Sequence, residues 1–183
     1  MLSRFIAIFL FVLLSPIFLI LALLIFLEDG FPVFFLQRRV GKNYSFFKIY
    51  KFRSMKKNTP NVATHLLVNP EQYLLKTGAF LRKTSLDEIP NLINIIRGEM
   101  VFVGPRPALY NQDDLMALRV ATGVDELKPG ITGWAQINGR DEIMLEEKVE
   151  LEKHYLEQHS FFFDIEIILK TFVNVLFKKG VSH

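Results

Sequence analysis

An uncharged apolar stretch at residues 5–27 restricts what this chain can fold into more than any other feature. It contains 23 consecutive residues without a charged side chain, and the first acidic residue of the chain is Glu28. As a helix this stretch would measure about 35 Å, which is enough for one membrane crossing. A multi-pass transporter or channel within one chain is therefore excluded. We expect a membrane segment followed by a soluble part.

The apolar stretch is interrupted near its centre by Ser15 and Pro16. A proline inside a helix removes a backbone donor, and its ring collides with the carbonyl four residues earlier, here that of Val12. We therefore expect a kink or break, with the Ser15 hydroxyl able to bond backbone groups that Pro16 leaves unpaired. Composition alone favours a kinked spanning helix over one that bends back to the same side. The flanks do not fit a cleaved signal peptide.

Basic residues are concentrated soon after the apolar stretch. Residues 38–57 carry eight lysines and arginines and no acid, whereas residues 87–150 carry twelve acids against six bases. A basic flank is typical of the cytoplasmic side of a membrane segment and attracts anionic headgroups. We therefore expect the soluble part in the cytoplasm. The chain has no cysteine, which excludes disulfides, thiol nucleophiles and cysteine-bound zinc.

The patterning after residue 30 predicts an α+β fold that is mainly helical. Two β-leaning runs joined by a turn at 41–43 predict a hairpin, and apolar residues recur at helical spacing from Ser85 to Arg97, with Gly98 as the stop. The other predicted elements are a loop at 58–70, a short helix or extended segment at 71–81, a buried strand with a rigid turn at 100–107, a glycine-punctuated loop at 128–140, a charged helix at 142–158 and an interfacial amphipathic helix at 160–179.

Asp87 and Glu88 are the main candidates for chemistry. The sequence Ser85-Leu86-Asp87-Glu88 also fits a helix capping box, which would explain both acids structurally. The functional interpretation uses the same physics, because a carboxylate at a helix N-terminus stays ionised and is available as a nucleophile or metal ligand. The neighbouring Arg82 favours chemistry, and the capping alternative stays open.

Two arginines lie in predicted turns. Arg106 lies between two prolines, which fix the backbone on both sides and would suit recognition of a diphosphate. Arg140 follows an Asn-Gly pair. The structural alternative for both is a solvated arginine at the tip of a turn. No glycine-rich nucleotide fingerprint or Walker loop is present, so phosphate binding would depend on basic side chains and a divalent ion held by carboxylates.

Five strings in order along the chain resemble the bacterial sugar transferase family of small monotopic phosphoglycosyl transferases. They are the Ser15-Pro16 break, FKIYKFRSM at 47–55, SLDEIPNLINIIRGEM at 85–100, VGPRP at 103–107 and KPGITGWAQINGR at 128–140. The resemblance implies a re-entrant helix hairpin at 1–30, both termini in the cytoplasm, and a membrane-associated catalytic domain at 31–183. This expectation replaces the spanning helix that composition alone favours.

The resemblance also implies a reaction and roles for residues. Asp87 would be the covalent nucleophile, and Glu88 its acid/base partner, with both at a Mg²⁺ site. Lys51, Arg82, Arg106 and Arg140 would bind substrate. The reaction would transfer a sugar-1-phosphate from a UDP-sugar to undecaprenyl phosphate and release UMP, at the cytoplasmic face of the bacterial inner membrane. The expected partners are these two substrates, membrane lipids and downstream glycosyltransferases of a glycan pathway, without nucleic acid.

Two other functions are compatible with parts of the sequence. A membrane-tethered scaffold would use residues 38–57, where basic and aromatic residues alternate, to bind acidic lipid or RNA. The acidic remainder of the soluble part would repel a polyanion, which disfavours RNA. A phosphohydrolase would form the same phospho-aspartate but pass it to water, without needing a lipid acceptor.

Overall fold

The N-terminal apolar stretch forms two helices, α1 (Leu2–Leu13) and α2 (Ser15–Asp29), in a computed structural model that describes residues 1–60, 69–139 and 143–176. The predicted break is confirmed, since the helices meet at Ser15-Pro16 and are bent by 62°. The Ser15 hydroxyl donates to the Val12 carbonyl at 2.7 Å, which satisfies the acceptor next to the break. Within the described ranges no single helix is both long and apolar enough to cross a membrane, and only this bent pair meets the criterion jointly.

Within the described ranges, five strands form two small sheets. In the first, β1 (Phe34–Val40) pairs antiparallel with β2 (Phe46–Phe52) and with the two-residue β4 (Ala108–Leu109). The predicted hairpin is therefore confirmed, with Val40 opposite Phe46 across the turn. In the second, β3 (Val101–Val103) pairs in parallel with β5 (Gly130–Thr132).

Six further helices lie in the described part of the chain, of which 61% is helical, so the fold is mainly helical as predicted. They are α3 (Lys76–Thr84), α4 (Asn91–Arg97), α5 (Asp113–Thr122), α6 (Trp134–Asn138), α7 (Leu145–Gln158) and α8 (Phe161–Leu176). The segment at 71–81 consists of a 3₁₀ turn at Pro70–Tyr73 followed by most of α3.

Two sequence predictions need correction. The helical period from Ser85 to Arg97 is not one helix, because a 3₁₀ turn at Leu86–Glu88 precedes α4, which begins after Pro90. The glycine-punctuated region at 128–140 contains β5 and α6 instead of a loop throughout. Short apolar strands between glycines resemble loops in sequence, and only the pairing of β5 with β3 distinguishes them.

The N-terminal helices share their apolar contacts with the rest of the chain. Ala7 of α1 is fully buried in a cluster with Ile95 of α4 and Ile49 of β2. Ile25 of α2 is buried in a second cluster with Phe52 and Leu81. The helix pair therefore packs directly onto the elements that carry the Asp-Glu pair.

Candidate active site

The Asp-Glu pair lies on the 3₁₀ turn between α3 and α4. Leu86 and Ile89 flank the two acids and pack against the buried clusters, which fixes the turn from both sides. Ser85 has a left-handed φ of +56° and its side chain makes no capping hydrogen bond, so the capping-box interpretation is wrong. A capping serine would need an extended backbone conformation, which this position does not have.

Glu88 forms an ion pair with Lys51 of β2. The Lys51 Nζ lies 2.6 Å from Glu88 Oε1, and the two side chains are 18% and 24% exposed. The contact joins the strand hairpin to the 3₁₀ turn. Because both groups are largely shielded from water, their attraction is screened less than that of a surface pair.

Arg82 approaches the pair from the last turn of α3. Its Nε donates to the Ser54 hydroxyl at 3.0 Å, and Ser54 itself is buried just after β2. Partial burial lowers the pKa of the Arg82 guanidinium, while the charge of Asp87 opposes that change. Arg82 is therefore fixed at its Nε and interacts electrostatically with the Asp87 carboxylate.

Competing influences set the pKa of Asp87. Burial raises the pKa of Asp87 from its ordinary 3.8 to about 6; the Glu88 charge acts in the same direction, and Lys51 and Arg82 act against it. At pH 7 the carboxylate is mostly ionised and poorly solvated. A desolvated carboxylate beside two cations has the properties of a nucleophile toward phosphorus.

Two buried asparagines of α4 follow the 3₁₀ turn in the sequence. Asn94 accepts from the Tyr50 amide at 3.0 Å and donates to the Lys48 carbonyl at 2.8 Å, which attaches α4 to β2 one residue before Lys51. Asn91 is 2% exposed, and its Oδ1 has no hydrogen-bond partner in the described part of the chain. Asn94 therefore helps to place Lys51 relative to Glu88.

Arg106 lies in the turn between β3 and β4, and its neighbours are packed backbone to backbone. A Cβ added at Gly104 would lie 2.4 Å from the Lys128 carbonyl oxygen, and one at Gly130 would lie 2.2 Å from the Gly104 nitrogen. Phe102 of β3 also packs against the cluster around α4. The arginine turn and the Asp-Glu turn are thus connected through one apolar core.

The predicted site residues therefore divide into three groups. Lys51, Arg82, Asp87 and Glu88 interact with one another. Arg106 lies on the separate turn that follows β3. Arg140 lies outside the described residues.

The Asp-Glu pair suits a magnesium ion by its donor chemistry. Across residues 1–60, 69–139 and 143–176, no group of three or more histidine, aspartate or glutamate side chains is arranged to hold a metal. Two carboxylates are nevertheless what Mg²⁺ takes from a protein when waters and substrate phosphates supply its other ligands. The repulsion between Asp87 and Glu88 is a further feature that a cation would relieve.

Several residues that support the site are not recognisable from sequence. Arg53 is 6% exposed and binds Asp29 Oδ2 at 2.7 Å and the Gly30 carbonyl at 2.7 Å, which fastens the end of α2 beside Ser54. Arg119 and Glu152 form a buried ion pair between α5 and α7. The basic run around Arg53 and the many charges of α7 give no sign of which side chain is buried.

A desolvated carboxylate beside two cations, with a rigid arginine turn on the same core, is an arrangement that could carry out phosphoryl-group transfer. Comparison with known proteins agrees, because the family model described as "Bacterial sugar transferase" matches residues 1–178. The chain therefore belongs to the bacterial sugar transferase family, and it is an enzyme of the phosphoglycosyl transferase class, as predicted.

Curated relatives include both short and long proteins. The chain is 42% identical over 177 residues to "Uncharacterized sugar transferase EpsL" of Bacillus subtilis, covering 97% of this chain and 86% of that protein. It is 37% identical to "Exopolysaccharide production protein ExoY" of Rhizobium meliloti, covering 91% and 80%. It is 40% identical to the "UDP-glucose:undecaprenyl-phosphate glucose-1-phosphate transferase" of Escherichia coli, covering 87% of this chain but 36% of that protein.

Proposed function

We propose that this enzyme transfers a sugar-1-phosphate from a UDP-sugar to undecaprenyl phosphate, giving undecaprenyl-diphosphate-sugar and UMP. The relative from Escherichia coli is named for this reaction with UDP-glucose. The observation in this chain that carries the proposal is the Asp87 carboxylate, desolvated between Lys51 and Arg82 and beside Glu88. A scaffold has no need for such an arrangement.

The first chemical step is an attack by an Asp87 Oδ on the sugar-bearing β-phosphorus of the UDP-sugar. A new P–O bond to the aspartate forms, and the bond from that phosphorus to the bridging oxygen breaks. UMP leaves with the electron pair. Lys51 and Arg82 lie where they can offset negative charge on the phosphoryl oxygens, and we assign Arg106 and Arg140 to the diphosphate as well.

The second step delivers the phosphosugar to the lipid. An oxygen of undecaprenyl phosphate attacks the phosphorus of the aspartyl adduct, and Asp87 leaves as a carboxylate. Glu88 accepts the proton of the acceptor phosphate when that group arrives protonated. A magnesium ion held by Asp87 and Glu88 would supply further charge neutralisation on the diphosphate. The scheme is ping-pong, because UMP departs before the lipid reacts.

We further propose that α1 and α2 form a re-entrant anchor at the cytoplasmic face of the bacterial inner membrane. Phe5, Phe9, Leu19 and Leu27 are each at least 66% exposed, which is unfavourable in water and favourable in lipid. In α8, Phe162 is 81% exposed, as expected for a helix in the interface plane. This location would bring the site to the headgroup of a lipid that cannot leave the membrane.

The reaction is tested by UMP release from a panel of UDP-sugars with detergent-solubilised protein. The assay is run with and without undecaprenyl phosphate and Mg²⁺, and with Asp87→Asn as the inactive control. We expect lipid-dependent release by the wild type only. Turnover without lipid would favour a phosphohydrolase, and silence across the panel combined with salt-sensitive RNA retention would favour a scaffold.

The anchor topology is tested by single-cysteine labelling, which is clean because the chain contains no cysteine. Leu2→Cys reports the N-terminus, and Gln158→Cys, at the exposed end of α7, reports the catalytic domain. A re-entrant anchor predicts that a membrane-impermeant reagent labels both only after the inner membrane is opened. Labelling of Leu2→Cys alone from the periplasm would establish a spanning helix instead.

A further inference from the structure

The turn that carries Arg106 is held by three successive carbonyl oxygens, each bound by a different element. The donors come from β5, α5 and β1, which are far apart in sequence. The pairs are Gly130 N to Pro105 O at 2.9 Å, Arg119 Nη2 to Arg106 O at 3.0 Å, and Arg39 Nη1 to Pro107 O at 3.0 Å. We call these three bonds the carbonyl clamp.

The middle bond of the carbonyl clamp depends on a buried ion pair. Arg119 is held by Glu152 through Nε to Oε2 at 2.8 Å and Nη2 to Oε1 at 2.5 Å, with side chains 5% and 1% exposed. The same Nη2 donates to the Arg106 carbonyl. Desolvation of two charges is costly, and such a pair is weak evidence for a stabilising role. Its geometry does fix one carbonyl very tightly.

Several independent restraints therefore fix the backbone conformation of the turn. Pro105 and Pro107 fix φ on either side of Arg106, and the close backbone approach at Gly104 leaves no room for the strand to shift. Rotation of the Arg106 backbone would break the Arg119 bond and leave a buried guanidinium donor unpaired, which is costly. A turn that only connected two strands would not need this degree of restraint.

We propose that Arg119, held by Glu152, is a positioning residue that fixes the origin of the Arg106 side chain for recognition of the substrate diphosphate. The inference rests on the proposed function, in which Arg106 binds that group. A guanidinium that starts from a fixed backbone loses less entropy on binding and meets the phosphate oxygens at a defined angle. Arg39 likewise donates a hydrogen bond to the next carbonyl of the turn, that of Pro107.

The experiment replaces the ion pair with apolar side chains, as Arg119→Met with Glu152→Leu. Apolar replacement of a buried ion pair is often neutral or stabilising, so a merely structural role predicts unchanged activity. A positioning role predicts a KM for the UDP-sugar and a Kd for UMP that both rise roughly tenfold, with the KM for undecaprenyl phosphate unchanged. Thermal melting confirms that the variant is folded, and Arg119→Lys serves as a second variant should the double replacement misfold.

Two controls make the result specific. Val149→Ala perturbs the same packing of α5 against α7 but removes none of the three bonds of the carbonyl clamp, and it should lower the melting temperature while leaving both constants unchanged. In an Arg106→Ala background the double replacement should change the KM by less than twofold, since the side chain it positions is gone. A tenfold effect that persists in that background would overturn the inference.

The outcomes separate the inference from the proposed function. An active wild type whose clamp variants keep wild-type KM and UMP affinity would overturn the clamp alone. A wild type that neither turns over any UDP-sugar nor binds UMP would refute the proposed function, and with it the role given to Arg106.

Discussion

The Asp-Glu turn and the Arg106 turn are built in opposite ways. At the Asp-Glu turn the influences on Asp87 oppose one another. Burial and the charge of Glu88 raise the pKa of Asp87, whereas Lys51 and Arg82 lower it. At the second, polar groups of the backbone are satisfied, with each of the three carbonyls from Pro105 to Pro107 bound. The difference indicates that Asp87, the proposed nucleophile, is kept in an energetically unfavourable environment in the free enzyme, whereas Arg106, the proposed diphosphate ligand, starts from a fixed backbone.

The largest expected effect is the loss of transfer in Asp87→Asn. Without a nucleophile the ping-pong route is closed, and we expect activity at least about a thousandfold below wild type, with Glu88→Gln also leaving little. The measurement is UMP release, together with trapping of radiolabelled phosphosugar on the protein when lipid is withheld. Full activity in Asp87→Asn would show that Asp87 is not the nucleophile, and the contrast drawn between the two turns would no longer hold.

The rigid turn is tested by Gly104→Ala, for which we expect a destabilisation of about 3 kcal/mol. The added Cβ would lie 2.4 Å from a backbone oxygen, which cannot move aside as a side chain can. Chemical denaturation in detergent measures the change. Gly41→Ala is the matched control, since its Cβ would meet side-chain atoms of Ser45 and Phe47 at 3.1 Å and 3.2 Å, and it should cost much less.

The unfavourable charge arrangement predicts that Asp87→Asn is more stable than the wild type above pH 6. The pKa of Asp87 is 3.8 when exposed and about 6 in the fold, so the folded state binds the proton more tightly. The stability that protonation of Asp87 contributes to the fold is complete below about pH 4 and is lost as pH rises through about 6. The difference between these two pKa values corresponds to a loss of folding stability on the order of 3 kcal/mol at most.

Melting curves with EDTA at pH 4.5 and pH 7.5 measure this effect. The gain of Asp87→Asn over the wild type should be small at the lower pH and larger at the higher one. Glu157→Gln, an exposed acid on α7, is the control and should show no such divergence. A variant less stable than wild type at pH 7.5 would mean that Asp87 is well accommodated and that the charges do not compete.

Sequence reasoning reached some of this structure for identifiable reasons. Pro16 breaks a helix through local sterics, and the β1–β2 hairpin follows from alternation around a turn, so both were predictable. The 3₁₀ turn under Asp87 was not, because Leu86 and Ile89 keep the spacing of one continuous helix, and the separation of the turn from α4 is visible only in the folded chain. Lys51 follows only from the family resemblance and Arg82 also from its place beside the Asp-Glu pair, but the contacts of both depend on how β2 and α3 pack. Burial of Arg119 against Glu152 depends on tertiary packing that no local pattern records.

The smallest effect concerns Lys51, whose charge lowers the pKa of Asp87. In Lys51→Met we expect the pKa of Asp87 to move above about 6, because the carboxylate loses the charge that lowers its pKa most and Glu88 loses its ion-pair partner. Carbon-13 spectra of aspartate-labelled protein in EDTA measure the pKa, with Asp87→Asn identifying the signal.

Lys48→Met is the matched control. Lys48 is exposed on the same strand, three residues away and so on the opposite face of the sheet, and its replacement should leave the pKa of Asp87 unchanged. Equal shifts in both variants would mean that general charge, and not the Lys51 contact, sets the pKa of Asp87. The contrast between the two turns would then depend on burial alone.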